Sequence, residues 1–308
     1  KNMILMQPMM TFVMNATVIA VLWFGGNQLV GGEMSTGDLA AFVTYVTQIL
    51  SSLMMVSFLF VMFSRAMASG KRIAEVLDEQ VDIADPETPS DVCVERGEIE
   101  FKNVSFRYYK NSDEPVLDKI DLKINAGETV GIIGSTGCGK TTLVSMIARL
   151  YDTDEGEVLI DGVNVRDYKL YNLREGVGMV LQKNTLFSGS IRDNLRWGDE
   201  EASEEEIRAA AASAQADGFV TDFTNGYDTD LGQGGSNVSG GQKQRLCIAR
   251  ALLKKPKIII LDDSTSAVDT ATEAKIRETF RTGLKDSTKI IIAQRIGSVR
   301  DADRIVVM

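Results

Sequence analysis

The sequence predicts a chain of two parts: a pair of membrane-spanning α-helices, followed by an α/β domain with a largely parallel sheet. Residues 2–64 carry only two charged side chains, Glu33 and Asp38, whereas residues 65–308 carry 32 basic and 41 acidic ones. In the second part strand-like segments alternate with helical ones, a pattern that favours a parallel sheet. The formal net charge of −10 indicates no basic surface for nucleic acid.

Two charge-free runs are long enough to cross a bilayer. Ile4–Phe24 has 21 residues and Leu39–Phe63 has 25, whereas about 20 are needed. Segment 65–72 contains three basic and no acidic side chains, so the positive-inside rule places it in the cytoplasm and the Gly-rich loop 25–38 outside. Two such runs separated by a loop do not resemble a signal peptide. A buried hairpin of a soluble protein is the alternative interpretation.

The composition also predicts the boundaries of the two parts. Residues 64–79 continue the second run as an amphipathic cytoplasmic helix, so the membrane part covers 1–79. Two prolines mark 80–96 as a linker, and 97–308 form the α/β domain. The chain begins without Met inside an apolar segment and stops inside an apolar strand. We therefore expect the chain to be a fragment of a longer protein, truncated at both ends.

Histidine is absent from the chain, and this excludes several kinds of site. Without it there is no Ser/His/Asp or Cys/His catalytic set and no imidazole metal ligand. The three cysteines, Cys93, Cys138 and Cys247, are too few and too scattered for a disulfide framework or a Cys₄ zinc site. We interpret them as reduced thiols facing the cytoplasm.

A glycine-rich stretch between an apolar strand and a helix has the form GxxxxGK[ST]. In such a loop the backbone N–H groups and the positive end of the helix face the phosphates of a nucleotide. The lysine reaches the β- and γ-phosphates, and the following hydroxyl binds Mg²⁺. The residues predicted to bind the nucleotide here are Gly134, Ser135, Thr136, Gly137, Cys138, Gly139, Lys140, Thr141 and Thr142.

A second strand, Lys257–Leu261, ends in a carboxylate at Asp262. Paired with the glycine-rich loop, this is the Walker B pattern, in which the carboxylate holds Mg²⁺ through water. Apolar strands that end in Asp are common, so the pattern is informative only because the loop accompanies it.

The segment Ser239-Gly240-Gly241-Gln242 has two interpretations. Local physics alone favours a Gly-rich turn in which the serine caps a helix. The four residues also resemble the signature motif of ATP-binding cassette (ABC) proteins. Other parts of that family's pattern follow in order: an adenine-stacking aromatic at Tyr108, a Q-loop Gln182 and a D-loop at 266–269 that ends in Asp269.

The resemblance covers nearly the whole chain and implies an ABC exporter half-transporter. Residues 97–308 resemble its nucleotide-binding domain without the last elements, and residues 1–64 resemble its fifth and sixth spans. The family implies ATP and Mg²⁺ as cofactors, with Thr141, Gln182 and Asp262 around the metal. It also implies a plasma or inner membrane location and no nucleic acid as partner. The expected partner is a second half-transporter, whose ATP-binding site is completed by the signature residues of this chain.

The sequence departs from the family pattern at three places. Asp263 occupies the position of the catalytic glutamate, and Gln294 occupies that of the switch histidine. The segment 232–235 reads Gly-Gln-Gly-Gly where the family usually has Gly-Glu-Arg-Gly. We interpret Asp263 and Gln294 as attenuated catalytic residues, because one missing methylene withdraws the carboxylate and an amide carries no positive charge.

Three hypotheses follow from these departures. In the first, the chain is the subunit of a heterodimeric exporter that carries a slow or regulatory ATP site, and its intact signature completes the active site of a different partner. In the second, it forms a homodimer that hydrolyses ATP slowly. In the third, it is a membrane-bound ATP-dependent regulator that transports nothing. The two spans argue against the soluble cassette proteins of translation or DNA repair. The cargo classes open to an exporter are drugs, lipids and peptides.

Overall fold

The computed structural model describes residues 2–88, 90–110, 112, 114–263 and 268–308, with the backbone alone for residues 2–7 and 270. They form two compact units, and the boundary between the units along the chain falls between Val81 and Asp82. The first unit consists of two long apolar helices and the second is an α/β domain with a parallel sheet. The predicted fold class is therefore confirmed.

The two helices of the first unit are longer than their charge-free runs. They are α1 (Asn2–Val30) and α2 (Thr36–Leu77), joined by residues 31–35. The loop is thus shorter than the predicted 25–38, because α1 continues through its glycines. A Cβ on Gly25 would lie 2.4 Å from Leu39 Cδ1, so this glycine lets the two helices approach closely.

Both helices pass the length and hydropathy criteria for a membrane span, over Pro8–Val30 and Thr36–Leu77. No residue of α2 is buried within the chain, and Trp23 and Phe60 are about 70% exposed. At 1.5 Å per residue the 42 residues of α2 extend about 63 Å, roughly twice the thickness of a hydrocarbon core. The charged end of α2 therefore extends beyond the apolar run.

The second unit alternates strands and helices along most of its length. Its strands are β1 (Ile99–Phe106), β2 (Leu117–Ile124), β3 (Thr129–Ile133), β4 (Glu155–Ile160), β5 (Val163–Asn164), β6 (Val177–Val180), β7 (Gly189–Ser190), β8 (Asp230–Leu231), β9 (Ile258–Asp262), β10 (Thr288–Ile292) and β11 (Arg304–Val307). Its α-helices are α3 (Lys140–Ile147), α4 (Leu170–Glu175), α5 (Ile191–Arg196), α6 (Glu204–Ser213), α7 (Asp217–Thr221), α8 (Gly240–Leu253) and α9 (Thr270–Gly283).

Two sheets organise this unit. The central sheet is parallel, in the order β11-β3-β10-β9-β6, and an antiparallel sheet has the order β2-β1-β4-β5. Strands β9 and β10 are rich in isoleucine and mostly buried, as expected where both faces of a parallel sheet are covered. One core cluster joins both sheets to α3, and a second joins the central sheet to α5–α9.

Most of the segment predicted as a linker, 80–96, packs on the α/β unit. Asp85 Oδ1 accepts a hydrogen bond of 2.7 Å from the backbone N–H of Leu170, at the start of α4. Val94 is buried, and a Cβ on Gly176 would lie 2.4 Å from its Cβ. The segment from Asp85 onward is thus attached to the unit at several points.

Asp161 anchors the last residues of this segment. Its carboxylate accepts hydrogen bonds of 2.8, 2.9 and 2.9 Å from the backbone N–H groups of Glu95, Arg96 and Glu98. Burial opposes ionisation of this carboxyl, but the backbone N–H groups outweigh it and hold the pKa of Asp161 below its ordinary value of 3.8. The ionised form of Asp161 therefore stabilises the fold.

Replacing Asp161 by Asn should lower the free energy of unfolding of the α/β unit by about 1–3 kcal/mol, because hydrogen bonds to a charged group are lost. Asn tolerates the left-handed backbone at this position, where φ is +51°. The contribution of the carboxylate is present above the ordinary pKa and is lost as the pH falls through the lower folded-state pKa.

Denaturant unfolding at pH 6 and near pH 3 measures this difference, which should shrink at the lower pH. Asp118→Asn, at an exposed aspartate of β2, is the matched control. Equal stability of the Asp161→Asn variant and the wild type at pH 6 would contradict the anchoring role.

Candidate nucleotide-binding site

The residues that the motifs single out lie at one edge of the central sheet. The loop 134–142 follows β3, Gln182 follows β6, Asp262 ends β9 and Gln294 follows β10. Because these strands are parallel neighbours, their carboxyl ends lie at the same edge, the usual ligand-binding edge of an open α/β sheet. Strand β10 lies between β3 and β9, which brings Gln294 between the loop and the carboxylates.

The loop before α3 depends on glycine at two positions. Gly137 and Gly139 have φ of +87° and +94°, a region that side chains strongly disfavour. A Cβ on Gly139 would also lie 3.0 Å from the carbonyl oxygen of Val116. Lys140 Nζ donates to the carbonyl oxygens of Gly134 and Ser135 at 3.0 and 2.7 Å. The ammonium group is thus held over the loop that would cradle the phosphates.

Thr141 and Asp262 form a contact suited to Mg²⁺. Thr141 Oγ1 donates to Asp262 Oδ2 at 2.7 Å. Burial raises the pKa of Asp262, although the Thr141 hydrogen bond and the charge of Lys140 oppose that shift. Within the described part of the chain no group of three or more His, Cys, Asp or Glu side chains could hold a metal.

This donor set fits Mg²⁺ bound together with a nucleotide. Mg²⁺ prefers oxygen ligands and takes most of them from phosphates and water, with one or two carboxylates from the protein. Thr141 and Asp262 would hold it, whereas Gln182, the third predicted ligand, contacts Asp263, with its Nε2 3.4 Å from Oδ2. The bound ion would neutralise charge on the phosphate oxygens.

The two residues at the predicted catalytic positions touch each other. Asp263 Oδ2 accepts a hydrogen bond of 2.9 Å from Gln294 Nε2 and a longer one of 3.4 Å from Gln182 Nε2. Burial and the charge of Asp262 raise the pKa of Asp263 above 3.8, while Arg295 and the Gln182 amide lower it. One carboxylate oxygen is therefore shared by two neutral donors, which follow β10 and β6, the strands on either side of β9.

Tyr108, predicted to stack on adenine, lies against two aromatic rings. Its ring centroid is 5.0 Å from that of Phe106 and 5.2 Å from that of Tyr151, both nearly perpendicular to it. The Tyr108 and Thr142 hydroxyls are hydrogen-bonded at 2.8 Å. The sequence motifs pointed to Tyr108 and Thr142 but missed Tyr151, which belongs to none of them.

The signature residues begin α8 with a reciprocal cap. Ser239 Oγ accepts from the backbone N–H of Gln242 at 3.3 Å, and Gln242 Oε1 accepts from that of Ser239 at 2.9 Å. Ser239 and Gly240 are exposed and Gly241 is half-buried. Gln244, to which the sequence motifs assigned no role, lies one turn further along α8 and donates to the carbonyl oxygen of Asp263 at 3.4 Å.

Asp269 forms the cap of α9. Its Oδ1 accepts a hydrogen bond of 3.0 Å from the backbone N–H of Thr272, and the hydrogen bonds to Thr272 hold the pKa of Asp269 below its usual range. Ser266 and Ala267 of the predicted D-loop lie outside the described residues. In the variant segment 232–235, the carbonyl oxygen of Gly234 accepts a 2.6 Å hydrogen bond from Lys243 Nζ.

The glycine-rich loop, the Walker B strand and the signature helix fall within one family match. Residues 117–266 match the family model described as ABC transporter. The chain contains an ABC transporter nucleotide-binding domain. This domain carries the predicted P-loop, Q-loop and signature residues in one α/β unit.

Whole-chain comparisons extend the likeness to the two helices. An uncharacterised ABC transporter ATP-binding protein of Bacillus subtilis (strain 168) is 44% identical over 301 residues, which are 98% of this chain and 52% of the relative. An ATP-dependent lipid A-core flippase of Desulfotalea psychrophila (strain LSv54 / DSM 12343) is 37% identical over 308 residues, 100% of this chain and 53% of the relative. The chain spans about half the length of the curated relatives it matches.

A solved structure has the same arrangement of elements. The structure of a bacterial Atm1-family ABC exporter with ATP bound aligns with a TM-score of 0.76 and 33% identity. The alignment covers 99% of this chain and 52% of the exporter chain. The two apolar helices followed by the nucleotide-binding domain thus match the Atm1-family exporter fold.

Replacing Asp262 by Asn should weaken the apparent Mg²⁺ affinity of the nucleotide site by about 10- to 100-fold. The amide oxygen can still accept from Thr141, but the negative charge that attracts the ion is gone. Binding of ATP, titrated at several Mg²⁺ concentrations and in EDTA, measures the effect. Asp118→Asn serves as the control for loss of one charge, and an unchanged Mg²⁺ dependence in Asp262→Asn would refute the assignment.

Proposed function

We propose that this chain is one half of an ABC exporter that uses ATP and Mg²⁺ to move a drug, lipid or peptide across a membrane. The apolar helices, joined in sequence to an ABC nucleotide-binding domain, support an exporter rather than a soluble cassette protein. The relative named for lipid A-core flipping supports lipid among the cargo classes. A multi-pass location in the plasma or inner membrane, with the nucleotide domain in the cytoplasm, belongs to this proposal.

The contact between Asp263 and Gln294 carries the finer part of the proposal, a slow ATP site. A general base must reach the water that attacks the γ-phosphate, and misplacement by about 1 Å can cost about 100-fold in rate. Asp263 is one methylene shorter than glutamate, and its Oδ2 is already engaged by Gln294 and Gln182. The site therefore binds ATP but is poorly arranged for hydrolysis.

The signature of this chain is intact, which supports a role in a second ATP site. Ser239 and Gly240 lie exposed at the N-terminus of α8, a helix of 14 residues. Exposed N–H groups and the helix dipole at such an end attract phosphate. We place the ATP of a partner half-transporter there, with a different chain as that partner. ATP bound between two such domains draws them together, and its hydrolysis releases them.

Restoring glutamate and histidine together, as Asp263→Glu plus Gln294→His, should raise steady-state ATP turnover of the chain by about 10²- to 10⁴-fold, the usual contribution of a positioned general base. Each single variant should recover less, because the two side chains act through one contact. Turnover of the wild type, both single variants and the double variant, all in the same detergent or lipid discs, measures this.

ATP binding, self-association and thermal stability are measured alongside, because Asp263 has φ of +46° and a longer side chain there adds backbone strain. An absence of any rise in a folded, ATP-binding, self-paired double variant would refute the slow-site proposal. If both proteins then hydrolyse ATP rapidly, that result favours a homodimer without a weakened site.

The pH dependence of turnover should also change when Gln294 becomes His. The wild-type chain has no histidine, and the side-chain amide of Gln294 is neutral throughout the range from pH 6 to 8. A histidine beside Asp263 titrates near or above pH 6.5. Its positive charge can stabilise the γ-phosphate, so turnover of the Gln294→His variant should rise as the pH falls from 8 to 6. Identical pH profiles for variant and wild type would contradict this.

A further inference from the structure

We propose that Tyr151 is a positioning residue for the nucleobase, because it holds the ring of Tyr108 in the orientation needed for stacking. This inference rests on the proposed function, in which the site binds ATP. Tyr151 lies in the turn after α3 and belongs to none of the sequence motifs. Its proposed role is to act through Tyr108.

The rings of Phe106, Tyr108 and Tyr151 form a three-membered cluster. Tyr151 meets Tyr108 at 88° with centroids 5.2 Å apart, and it meets Phe106 at 48° and 5.5 Å. Near-perpendicular pairs at this distance are favourable because the positive edge of one ring faces the negative face of the other. Tyr108 is still 47% exposed, so its ring keeps surface that a base can cover.

The turn that carries Tyr151 is anchored on its α3 side. Arg149 is only 6% exposed and forms two hydrogen bonds with Asp152, of 2.9 and 3.3 Å. The backbone N–H of Leu150 donates to the carbonyl oxygen of Ser145 in α3 at 2.9 Å. Tyr151 thus lies between two residues that are themselves held in place.

The same turn is tied to the chain just before Tyr108. The backbone N–H of Asp154 donates to the carbonyl oxygen of Ser105 at 2.9 Å, and Asp154 Oδ2 accepts from the backbone N–H of Arg107 at 2.7 Å. These bonds hold the turn that carries Tyr151 beside the segment of Tyr108. The Tyr108 hydroxyl is in turn hydrogen-bonded to Thr142 in α3.

One connected unit therefore holds the phosphate-binding and base-binding groups. Helix α3 begins at Lys140, and the turn at 149–154 links its far end to the segment of Tyr108. Such preorganisation saves the entropy of ordering an aromatic side chain when the ligand binds. Removing the ring of Tyr151 should loosen Tyr108 but leave the loop at 134–142 intact.

The decisive experiment distinguishes binding of the base from binding of the phosphates by using two probes, MgATP and inorganic tripolyphosphate with Mg²⁺. In the full chain, Tyr151→Leu should weaken MgATP binding by about 2- to 10-fold, the range of an aromatic pair, and leave tripolyphosphate binding unchanged. Tyr151→Phe should restore MgATP affinity to within about twofold, because the interaction uses the ring and not the hydroxyl.

A mutant cycle tests whether Tyr151 acts through Tyr108. In a Tyr108→Leu background, Tyr151→Leu should cause no further loss of MgATP affinity. Tyr171→Leu, at a tyrosine of α4 that is 73% exposed, is the matched control and should bind both probes as the wild type does.

Three results would overturn the inference: unchanged MgATP affinity in Tyr151→Leu, equal weakening of both probes, or a full effect of Tyr151→Leu without Tyr108. A failure of the wild type to bind MgATP would instead refute the proposed function, and this inference with it.

Discussion

The position of β10 between β3 and β9 is the constraint on which the nucleotide site depends. Ile292 of β10 pairs with Ile132 on one side and Asp262 on the other, all in parallel register. Because a parallel sheet ends all its strands at one edge, the P-loop, the acidic pair and Gln294 meet there. A different strand order would leave the same motifs intact and separate their side chains.

The chemistry of the site depends on the different surroundings of its two adjacent carboxylates, Asp262 and Asp263. Asp262 is almost fully buried and bonded to Thr141, whereas Asp263 is partly exposed and bonded to two amides. The first arrangement suits a metal ion that brings its own phosphates and water. The second holds a short carboxylate with neutral donors, and the proposal of a slow ATP site rests on that arrangement.

Several features of the protein could be predicted from the sequence because each depends on residues close together in the chain. Hydropathy separated the apolar helices from the α/β unit, and the glycines of 134–139 predicted a loop that only glycine allows. The cap at Ser239 lies within four residues of its partner Gln242. Even here local patterns had limits: glycines predicted a loop at 25–38 where α1 continues to Val30, and prolines predicted a linker at 80–96 where the chain packs on the domain.

Local sequence is thus enough to predict the two-part division of the chain, the glycine-rich loop, the Walker B strand and the capped signature helix, because backbone geometry and short-range hydrogen bonds suffice for these. Which side chains contact Asp263 depends instead on the packing of the folded domain, because Gln294 and Gln182 are 31 and 81 residues away from it. The anchoring of Glu95 by Asp161 spans 66 residues, and the contact of Tyr151 with Tyr108 joins the turn after α3 to the chain just after β1. Such contacts depend on strand order and packing, which no local pattern encodes.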